Sequence, residues 1–387
     1  MKWMKFIFGI VFVLVVYLVI QVGLKQSITD KENQSTSLSS ESSLETKTSK
    51  KKQKDPLASY LSHLTLEEKV GQLFFARVPE EHALEDIKTY HLGGYLLFSR
   101  DTEGVSPKEL TETIKEYQSV STVPLLIGSD EEGGLVSRLI YGDNLLEKPF
   151  LSPQALYQQG GLASIKEDTR LKSQQLKSYG IHTALAPVAD VSTNPNAFIY
   201  DRTVGLDVEG TKEYVKTVVK EMKQEQLISV LKHFPGYGNN LDSHTQVVHD
   251  TRSLKELETH DIPVFQEGIQ AGADSLLVAH LIIDALDNQQ PASISPKVVD
   301  YIRHTLNFSG VIMTDDMDMQ GLSQFVSQEE AAYQAIVAGI DWVMSSSYQI
   351  QIPTIIAKVK AGDISEQRLD DSVKRILIMK QQAGLLP

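Results

Sequence analysis

Eight short apolar segments, each of a length typical of a buried β-strand, alternate with stretches of helical periodicity, and this alternation constrains the fold more than any other feature. The predicted strands are residues 73–78, 94–98, 124–127, 184–188, 228–233, 275–281, 311–313 and 342–344. Helical periodicity between them is clearest in 210–224 and 327–338. Strands that alternate with helices form parallel sheets, and eight units over about 330 residues predict an α/β fold, a (β/α)8 TIM-like barrel, better than an open doubly wound sheet.

The N-terminal segment does not follow this pattern. Residues 6–20 are continuously apolar and the run extends to Leu24, which is long enough, at about 1.5 Å per residue, to cross the hydrocarbon core of a bilayer. We interpret residues 1–25 as a transmembrane signal-anchor. A cleaved signal peptide is the alternative, but no small-x-small cleavage site follows the run. Lys2 and Lys5 precede it and favour a cytoplasmic N-terminus.

A polar segment separates the predicted anchor from the rest of the chain. Residues 26–55 are rich in Ser, Thr, Glu, Gln and Lys, and such a composition cannot bury enough apolar surface to fold. We predict a disordered linker that holds the folded part on the order of 30 Å from the bilayer. The globular domain is predicted to be 56–387, and the capping-box pattern from Thr65 to Glu68 predicts a helix start.

Composition excludes several classes of function. The net charge of −13 and the pI of about 5.3 argue against nucleic acid as a partner, because an acidic surface repels phosphate. The chain contains no cysteine, so it has no disulfide, no thiolate metal site and no thiol nucleophile.

Polar side chains follow several predicted strands directly. These residues are Asp130, Asp190, His233, His280, and Asp315 with Asp316. The carboxyl ends of barrel strands meet at one face, where the active sites of barrel enzymes lie. The sequence therefore predicts one polar site built from several strand ends.

Two loops carry the strongest chemical signals. The segment from Lys232 to His244 breaks from an apolar strand into a loop rich in glycine. Within it, Asp242 and His244 are two residues apart, so the carboxylate can fix the imidazole tautomer for proton transfer. The second loop, 128–139, combines acids, two glycines and Arg138. It contains neither of the glycine-rich motifs that bind nucleotides.

The remaining histidines carry weaker signals. His233, Asp242, His244 and His249 lack the spacing of zinc motifs, so we expect no metal and no cofactor. We interpret the following as surface or packing residues: His63, His91, His182, His249, Asp250 and His260.

These motifs together resemble family 3 of the glycoside hydrolases. They are Leu64 to Leu73, Gly128 to Leu139, Ala186 to Val191, Lys232 to Gly236, Asp242 to His244, Pro291 to Ser295 and Gly310 to Met317. The resemblance covers about residues 57–387 and is greatest to the single-domain type of the β-N-acetylglucosaminidase branch. The chain departs from the family pattern at Leu135, where a polar or basic residue is frequent, at Tyr237, where many members have histidine, in a dyad loop that is one residue shorter, and at 201–205.

The resemblance implies roles for particular residues. Asp315 resembles the nucleophile that forms a covalent glycosyl-enzyme, and His244 resembles the general acid/base, with Asp242 as its orienting partner. Asp130 resembles the residue that grips the sugar hydroxyls. The groups that would surround the sugar are Arg138, Arg202, Lys232 and His233. His280 would either position the nucleophile or bond a buried carbonyl group.

The resemblance therefore implies a retaining β-N-acetylhexosaminidase that acts on terminal β-linked N-acetylglucosamine (GlcNAc) in glycans such as peptidoglycan fragments. Two alternatives remain open. The same site could serve a β-glucosidase, a β-xylosidase or a GlcNAc phosphorylase, or the barrel could bind cell-wall glycans without turnover. We expect a monomer in the bacterial cell membrane, single-pass, with its catalytic domain outside the cytoplasm.

Overall fold

The computed structural model describes residues 56–386. The predicted membrane anchor and linker, 1–25 and 26–55, lie outside the described residues. Within 56–386, no helix combines the length and apolar character that a membrane span requires.

The described chain alternates strands and helices, as the sequence predicts. The strands are β1 (Phe74–Arg77), β2 (Gly94–Leu97), β3 (Leu126–Ser129), β4 (Glu131–Gly133), β5 (Val136–Ser137), β6 (Val230–Phe234), β7 (Val248–Asp250), β8 (Ser275–Val278), β9 (Leu281–Ile283), β10 (Val311–Thr314) and β11 (Val343–Ser345). The α-helices are α1 (Pro56–His63), α2 (Leu66–Gln72), α3 (Ala83–Tyr90), α4 (Ser99–Thr102), α5 (Pro107–Val120), α6 (Pro153–Tyr179), α7 (Val208–Gln224), α8 (Leu254–Thr259), α9 (Ile262–Ala271), α10 (Pro296–Asp300), α11 (Gln320–Ser323), α12 (Gln328–Ala338), α13 (Tyr348–Ala361) and α14 (Glu366–Gln382).

The parallel strands close into a ring. One sheet has the order β11-β1-β2-β3 and another the order β10-β8-β6. Single parallel bridges join the two sheets: Gly128 with Thr183, Thr183 with Ile228, Val188 with Lys232, and Met313 with Trp342. The predicted TIM-like α/β barrel is thus confirmed.

The fourth predicted strand, 184–188, is the main departure from the sequence-based prediction. This segment forms no regular strand: it joins the ring through isolated bridges at Thr183, just before it, and at Val188, and through single backbone bonds such as Val230 N–H to Ala186 O at 2.7 Å. Pro187 has no N–H to donate to a ladder, and Leu185 adopts a left-handed backbone with φ of 46°. The predicted strand 275–281 also divides, because β8 ends at Val278 and β9 pairs with β7 instead.

The barrel interior is filled by large side chains that pack against small ones. Phe75 stacks on Trp342 with ring centroids 4.1 Å apart. A Cβ atom at Gly128 would lie 2.5 Å from the Phe75 ring, so this strand position has room only for glycine. At the outer surface, Thr65 and Glu68 form the predicted capping box at the start of α2.

Candidate active site

A cavity of about 240 Å³ opens at the carboxyl ends of the barrel strands. Its lining residues are Phe98, Asp130, Val136, Arg138, Leu185, Arg202, Lys232, His233, His244, Leu277, Asp315, Asp316, Met319 and Met344. Pockets for drug-sized ligands measure about 300–1,000 Å³, so this smaller space suits a single compact polar ring.

Asp315 is positioned by the end of β10. Its backbone N–H donates to Val278 O at 3.1 Å, and its Oδ1 accepts the Asp316 N–H at 2.9 Å. Burial alone would raise the pKa of Asp315, but in the acidic range where this carboxyl titrates, positive charge on the imidazoles of His233, His280 and His244 outweighs burial and holds its pKa below the usual value. The carboxylate is therefore ionised at neutral pH, as a nucleophile requires.

A network of five charged groups covers one side of the cavity. Lys232 Nζ lies 2.8 Å from Asp130 Oδ1 and 2.6 Å from Glu132 Oε1. Arg138 Nη2 lies 3.1 Å from Asp130 Oδ2. Arg202 donates to both oxygens of Glu132, from Nε at 2.9 Å and from Nη2 at 2.7 Å. The two acids and three bases give this network a net charge of +1.

This network fixes the protonation states of its members. Burial would raise the pKa of Asp130, but Lys232 and Arg138 lower it further than burial raises it. The pKa of Glu132 is lowered well below its usual range for the same reason, with Lys232 and Arg202 as the opposing cations. Among the described residues, the buried Arg138 Nε has no hydrogen-bond partner.

His233 is held in one orientation by a buried carboxylate. Its Nδ1 donates to Asp190 Oδ2 at 2.8 Å, and Arg202 Nη2 lies 2.9 Å from Nε2. A guanidinium can only donate, so Nε2 accepts. Asp190 also accepts the Tyr237 N–H through Oδ1 at 2.7 Å, and it thereby ties the end of β6 to the following loop.

Asp242 and His244 form the predicted pair. His244 Nδ1 lies 2.5 Å from Asp242 Oδ1, and the same oxygen accepts the His244 backbone N–H at 2.9 Å. His244 lines the cavity, whereas Asp242 lies behind it. Its Nε2 is thus the ring nitrogen left to exchange a proton with a ligand.

His280 supports the segment that carries Asp315. Its Nε2 donates to the carbonyl oxygen of Asp316 at 2.9 Å, and its Nδ1 lies 2.7 Å from Ser293 Oγ. Burial lowers the pKa of His280, so the ring is neutral and Nδ1 accepts the Ser293 hydroxyl proton. The predicted bond to a buried carbonyl is present, and this carbonyl belongs to the residue that follows Asp315.

Asp316 differs from its neighbour in protonation. Burial, followed by the charges of Asp318 and Asp315, raises the pKa of Asp316 to about 7. Its Oδ1 accepts the Asp318 N–H at 3.1 Å. Two adjacent aspartates therefore occupy different charge states below neutral pH.

The structure brings seven of the eight predicted site residues to the cavity wall and places the eighth, Asp242, behind His244. Sequence reasoning missed Glu132, although it lies in the quoted 128–139 motif, and Phe98, the last residue of a predicted strand. Phe98 lines the cavity beneath the Arg77 guanidinium, 4.0 Å from the ring centroid. Within 56–386, no group of three or more His, Cys, Asp or Glu residues is arranged to hold a metal ion.

Comparison with known proteins gives a consistent result. The family model described as the glycosyl hydrolase family 3 N-terminal domain matches residues 65–379. A β-hexosaminidase of Tolumonas auensis is 32% identical over 257 residues, which cover 66% of this chain and 75% of the relative. The β-hexosaminidase LpqI of Mycobacterium tuberculosis is 28% identical over 329 residues, with 82% and 83% covered. The structure of a family 3 β-N-acetylglucosaminidase from Paenibacillus sp. str. FPU-7 superposes with a TM-score of 0.78 at 30% identity, covering 83% of this chain and 63% of the other.

Proposed function

Because this chain belongs to family 3 of the glycoside hydrolases, we propose that it is a retaining β-N-acetylhexosaminidase that removes terminal β-linked GlcNAc from glycans. The assignment of GlcNAc as the sugar is supported by the names of its relatives, which are β-hexosaminidases and a β-N-acetylglucosaminidase. The observation that carries the mechanism is the presence, at one cavity, of an ionised, partly buried carboxylate, Asp315, and a carboxylate-paired imidazole, His244.

The proposed reaction has two steps. Asp315 attacks the anomeric carbon while His244 Nε2 gives a proton to the leaving oxygen, so the glycosidic bond breaks and a covalent glycosyl-enzyme forms. In the second step, His244 takes a proton from water, whose oxygen attacks the anomeric carbon and releases Asp315. The Asp242 carboxylate accepts the Nδ1–H of His244, and this leaves Nε2 for both proton transfers.

The charged network is suited to hold the sugar. Asp130 accepts hydroxyl protons, while Lys232, Arg138 and Arg202 donate to oxygens of the sugar and of its acetamido group. Charge-assisted hydrogen bonds are shorter and stronger than neutral ones. Because the network is already assembled in the free protein, little ordering is required when a sugar binds.

The test is hydrolysis of nitrophenyl β-GlcNAc by the full chain and by three variants. Asp315→Asn should abolish turnover, and His244→Ala should lower kcat about 10²- to 10⁴-fold. His249→Ala is the matched control, because His249 Nδ1 also lies beside an aspartate, Asp284 Oδ1, at 2.9 Å but outside the cavity. Proton NMR should detect the β-anomer of GlcNAc as the first product. Added azide, a nucleophile that needs no general base, should restore part of the turnover of His244→Ala.

The same assay distinguishes the alternatives. Faster turnover of β-glucosides or β-xylosides than of β-GlcNAc glycosides would show that the proposed sugar is wrong. Formation of a GlcNAc phosphate ester in phosphate buffer would show that the reaction is phosphorolysis and not hydrolysis. Binding of GlcNAc oligomers without any turnover would support a glycan-binding protein. An Asp315→Asn variant with full activity would refute the proposed nucleophile.

We also propose, from the sequence alone, that residues 1–25 anchor the protein in the bacterial cell membrane and that residues 26–55 tether an extracytoplasmic domain, 56–387. The apolar run 6–20 supports this arrangement. Fractionation of cells should recover the full chain with membranes. Recovery of the full chain in the soluble fraction would refute the anchor.

A further inference from the structure

The Asp242–His244 pair lies on a loop whose own side chains do little to fix its place. The side chains of Asp242 and His244 are 31% and 45% exposed, and their strongest contact is with each other. An internal hydrogen bond sets the orientation of the ring relative to the loop, but it does not set the position of the loop over the cavity. Other contacts must supply that position.

Ser243, between the two, supplies these contacts. It is fully buried, and its carbonyl oxygen accepts the Gly321 N–H at 3.0 Å. The next carbonyl, of His244, accepts the Gln320 N–H at 3.2 Å. A Cβ atom at Gly321 would lie 2.5 Å from Ser243 O. The loop therefore packs directly against the start of α11, a few residues after Asp315.

The side chain of Ser243 makes a second contact, with Tyr237. Its Oγ lies 2.6 Å from the hydroxyl oxygen of Tyr237, and both groups are fully buried. Burial, and then the charge of Asp315, raise the pKa of Tyr237, so the phenol keeps its proton. Either hydroxyl can donate in this bond.

Tyr237 is itself fixed to the barrel. Asp190 accepts its backbone N–H at 2.7 Å and also binds His233. The ring of Tyr237 meets those of His233 and Phe198 edge to face, with centroids 5.4 and 5.3 Å away. Phe198 in turn lies 6.3 Å from the His244 ring. The Tyr237 hydroxyl thus has a position defined by the rigid part of the site.

We propose that the hydrogen bond between Tyr237 and Ser243 is a latch that holds the Asp242–His244 pair over the cavity, which makes Tyr237 a positioning residue for proton transfer. This inference rests on the proposed function of His244 as acid/base. Tyr237 does not touch the reacting atoms. It acts through Ser243, and its loss should impair proton transfer while leaving the groups that bind the sugar in place.

The test compares Tyr237→Phe, Ser243→Ala and the double variant in the full chain. Each single change removes one hydroxyl of the latch, and Tyr237→Phe retains the ring and its edge contacts. Each should lower kcat/KM for methylumbelliferyl β-GlcNAc about tenfold, as expected for a buried hydrogen bond whose partner is left unpaired. Because both act through one bond, the double variant should be no slower than the slower single variant.

Leaving-group dependence separates positioning from general damage. A dinitrophenolate leaves without protonation, so kcat/KM for dinitrophenyl β-GlcNAc should fall less than twofold in Tyr237→Phe, a much smaller loss than the tenfold expected above. The control is Tyr95→Phe, which removes another buried hydroxyl. The Tyr95 hydroxyl donates to Ala83 O, with 2.8 Å between the two oxygens, and neither residue lines the cavity. This control should leave the ratio of the two kcat/KM values unchanged.

Hydrogen exchange gives a readout that does not depend on turnover. Peptides spanning 239–247 should exchange faster in Tyr237→Phe than in the wild type and in Tyr95→Phe. If exchange in Tyr237→Phe equals that of a wild type that hydrolyses the substrate, the proposed latch is wrong but the proposed hydrolase activity is not. The latch would also be refuted if Tyr237→Phe lost kcat/KM equally on the methylumbelliferyl and dinitrophenyl substrates, or if the fold-losses of the two single variants multiplied in the double variant. Faster exchange in a protein that hydrolyses no GlcNAc glycoside would support the latch and refute the proposed function.

Discussion

Replacing Glu132 by glutamine tests whether the buried charge network determines the stability of the site. The Glu132 carboxylate is almost completely buried and binds two cations, Lys232 at 2.6 Å and Arg202 at 2.7 and 2.9 Å. Glutamine keeps the shape and one acceptor oxygen, but it removes the charge and turns an amide N–H₂ group toward a cation. Three cations would then face the single carboxylate of Asp130, so the net charge of the network would rise from +1 to +2.

The magnitude follows from the burial of the pair. Removing one partner of a buried ion pair costs about 3–5 kcal/mol, because the other charge is left without compensation. The entropy of unfolding is about 2.1 cal/mol/K per residue, so for roughly 330 residues this cost lowers the melting temperature by about 4–7 °C.

The assay is thermal unfolding followed by circular dichroism, with Glu167→Gln as the matched control. Glu167 pairs with Arg170 at 2.5 Å on an exposed helix surface, where such a pair contributes about 0–1 kcal/mol. We expect the control to melt within about 1 °C of the wild type. A Glu132→Gln variant that melts as high as the control would show that the network contributes nothing to stability.

The pH dependence of this difference has a definite sign. The pKa of Glu132 is lowered in the folded protein from its ordinary value of 4.5. The stabilisation by its charge is therefore complete above the unfolded pKa and is lost as the pH falls through the folded pKa. The difference in melting temperature between the wild type and Glu132→Gln should be largest near neutral pH and should become smaller in strong acid.

Two further predictions concern the segment after β10. Because the pKa of Asp316 is raised to about 7, wild-type stability should fall between about pH 4 and pH 7 as the unfolded chain ionises first, and Asp316→Asn should flatten this decline in melting temperature. Gly321→Ala should destabilise the protein by about 1–3 kcal/mol, because its Cβ would lie 2.5 Å from Ser243 O. It should also lower kcat at temperatures where the variant is fully folded, and an unchanged kcat would contradict the packing of the dyad loop on α11.

Much of the barrel could be predicted because each strand is a local signal in the sequence. Seven of the eight apolar segments overlap a strand, and the polar residues that follow these strands meet at one face. The eighth, 184–188, has the apolar composition of a strand, but a left-handed Leu185 and a proline without an N–H prevent regular pairing. Composition could not reveal the backbone conformation of one residue.

Partners distant in sequence explain what could not be predicted in the site. Three consecutive acids, Asp130, Glu131 and Glu132, have three different roles. Asp130 lines the cavity, whereas Glu131 accepts bonds from Ser129, Ser137 and nearby backbone N–H groups. Glu132 binds Arg202 and Lys232, which are 70 and 100 positions away. No local pattern distinguishes these three carboxylates, because the closed barrel brings the distant cations Lys232 and Arg202 to Asp130 and Glu132, whereas Glu131 bonds only to its own loop.

The site joins two parts of unequal rigidity. Asp315 and the charged network lie at the ends of buried strands, and their partners are also buried. The Asp242–His244 pair lies on a half-exposed loop that meets the rest of the site through Ser243, through the two backbone bonds to α11, and through the His244 ring beside Phe198. Binding and proton transfer therefore depend on different contacts. Substitutions in the network should act on sugar affinity and on folding, whereas substitutions beneath the loop should act on turnover, because they displace a proton donor without disturbing the groups that hold the sugar.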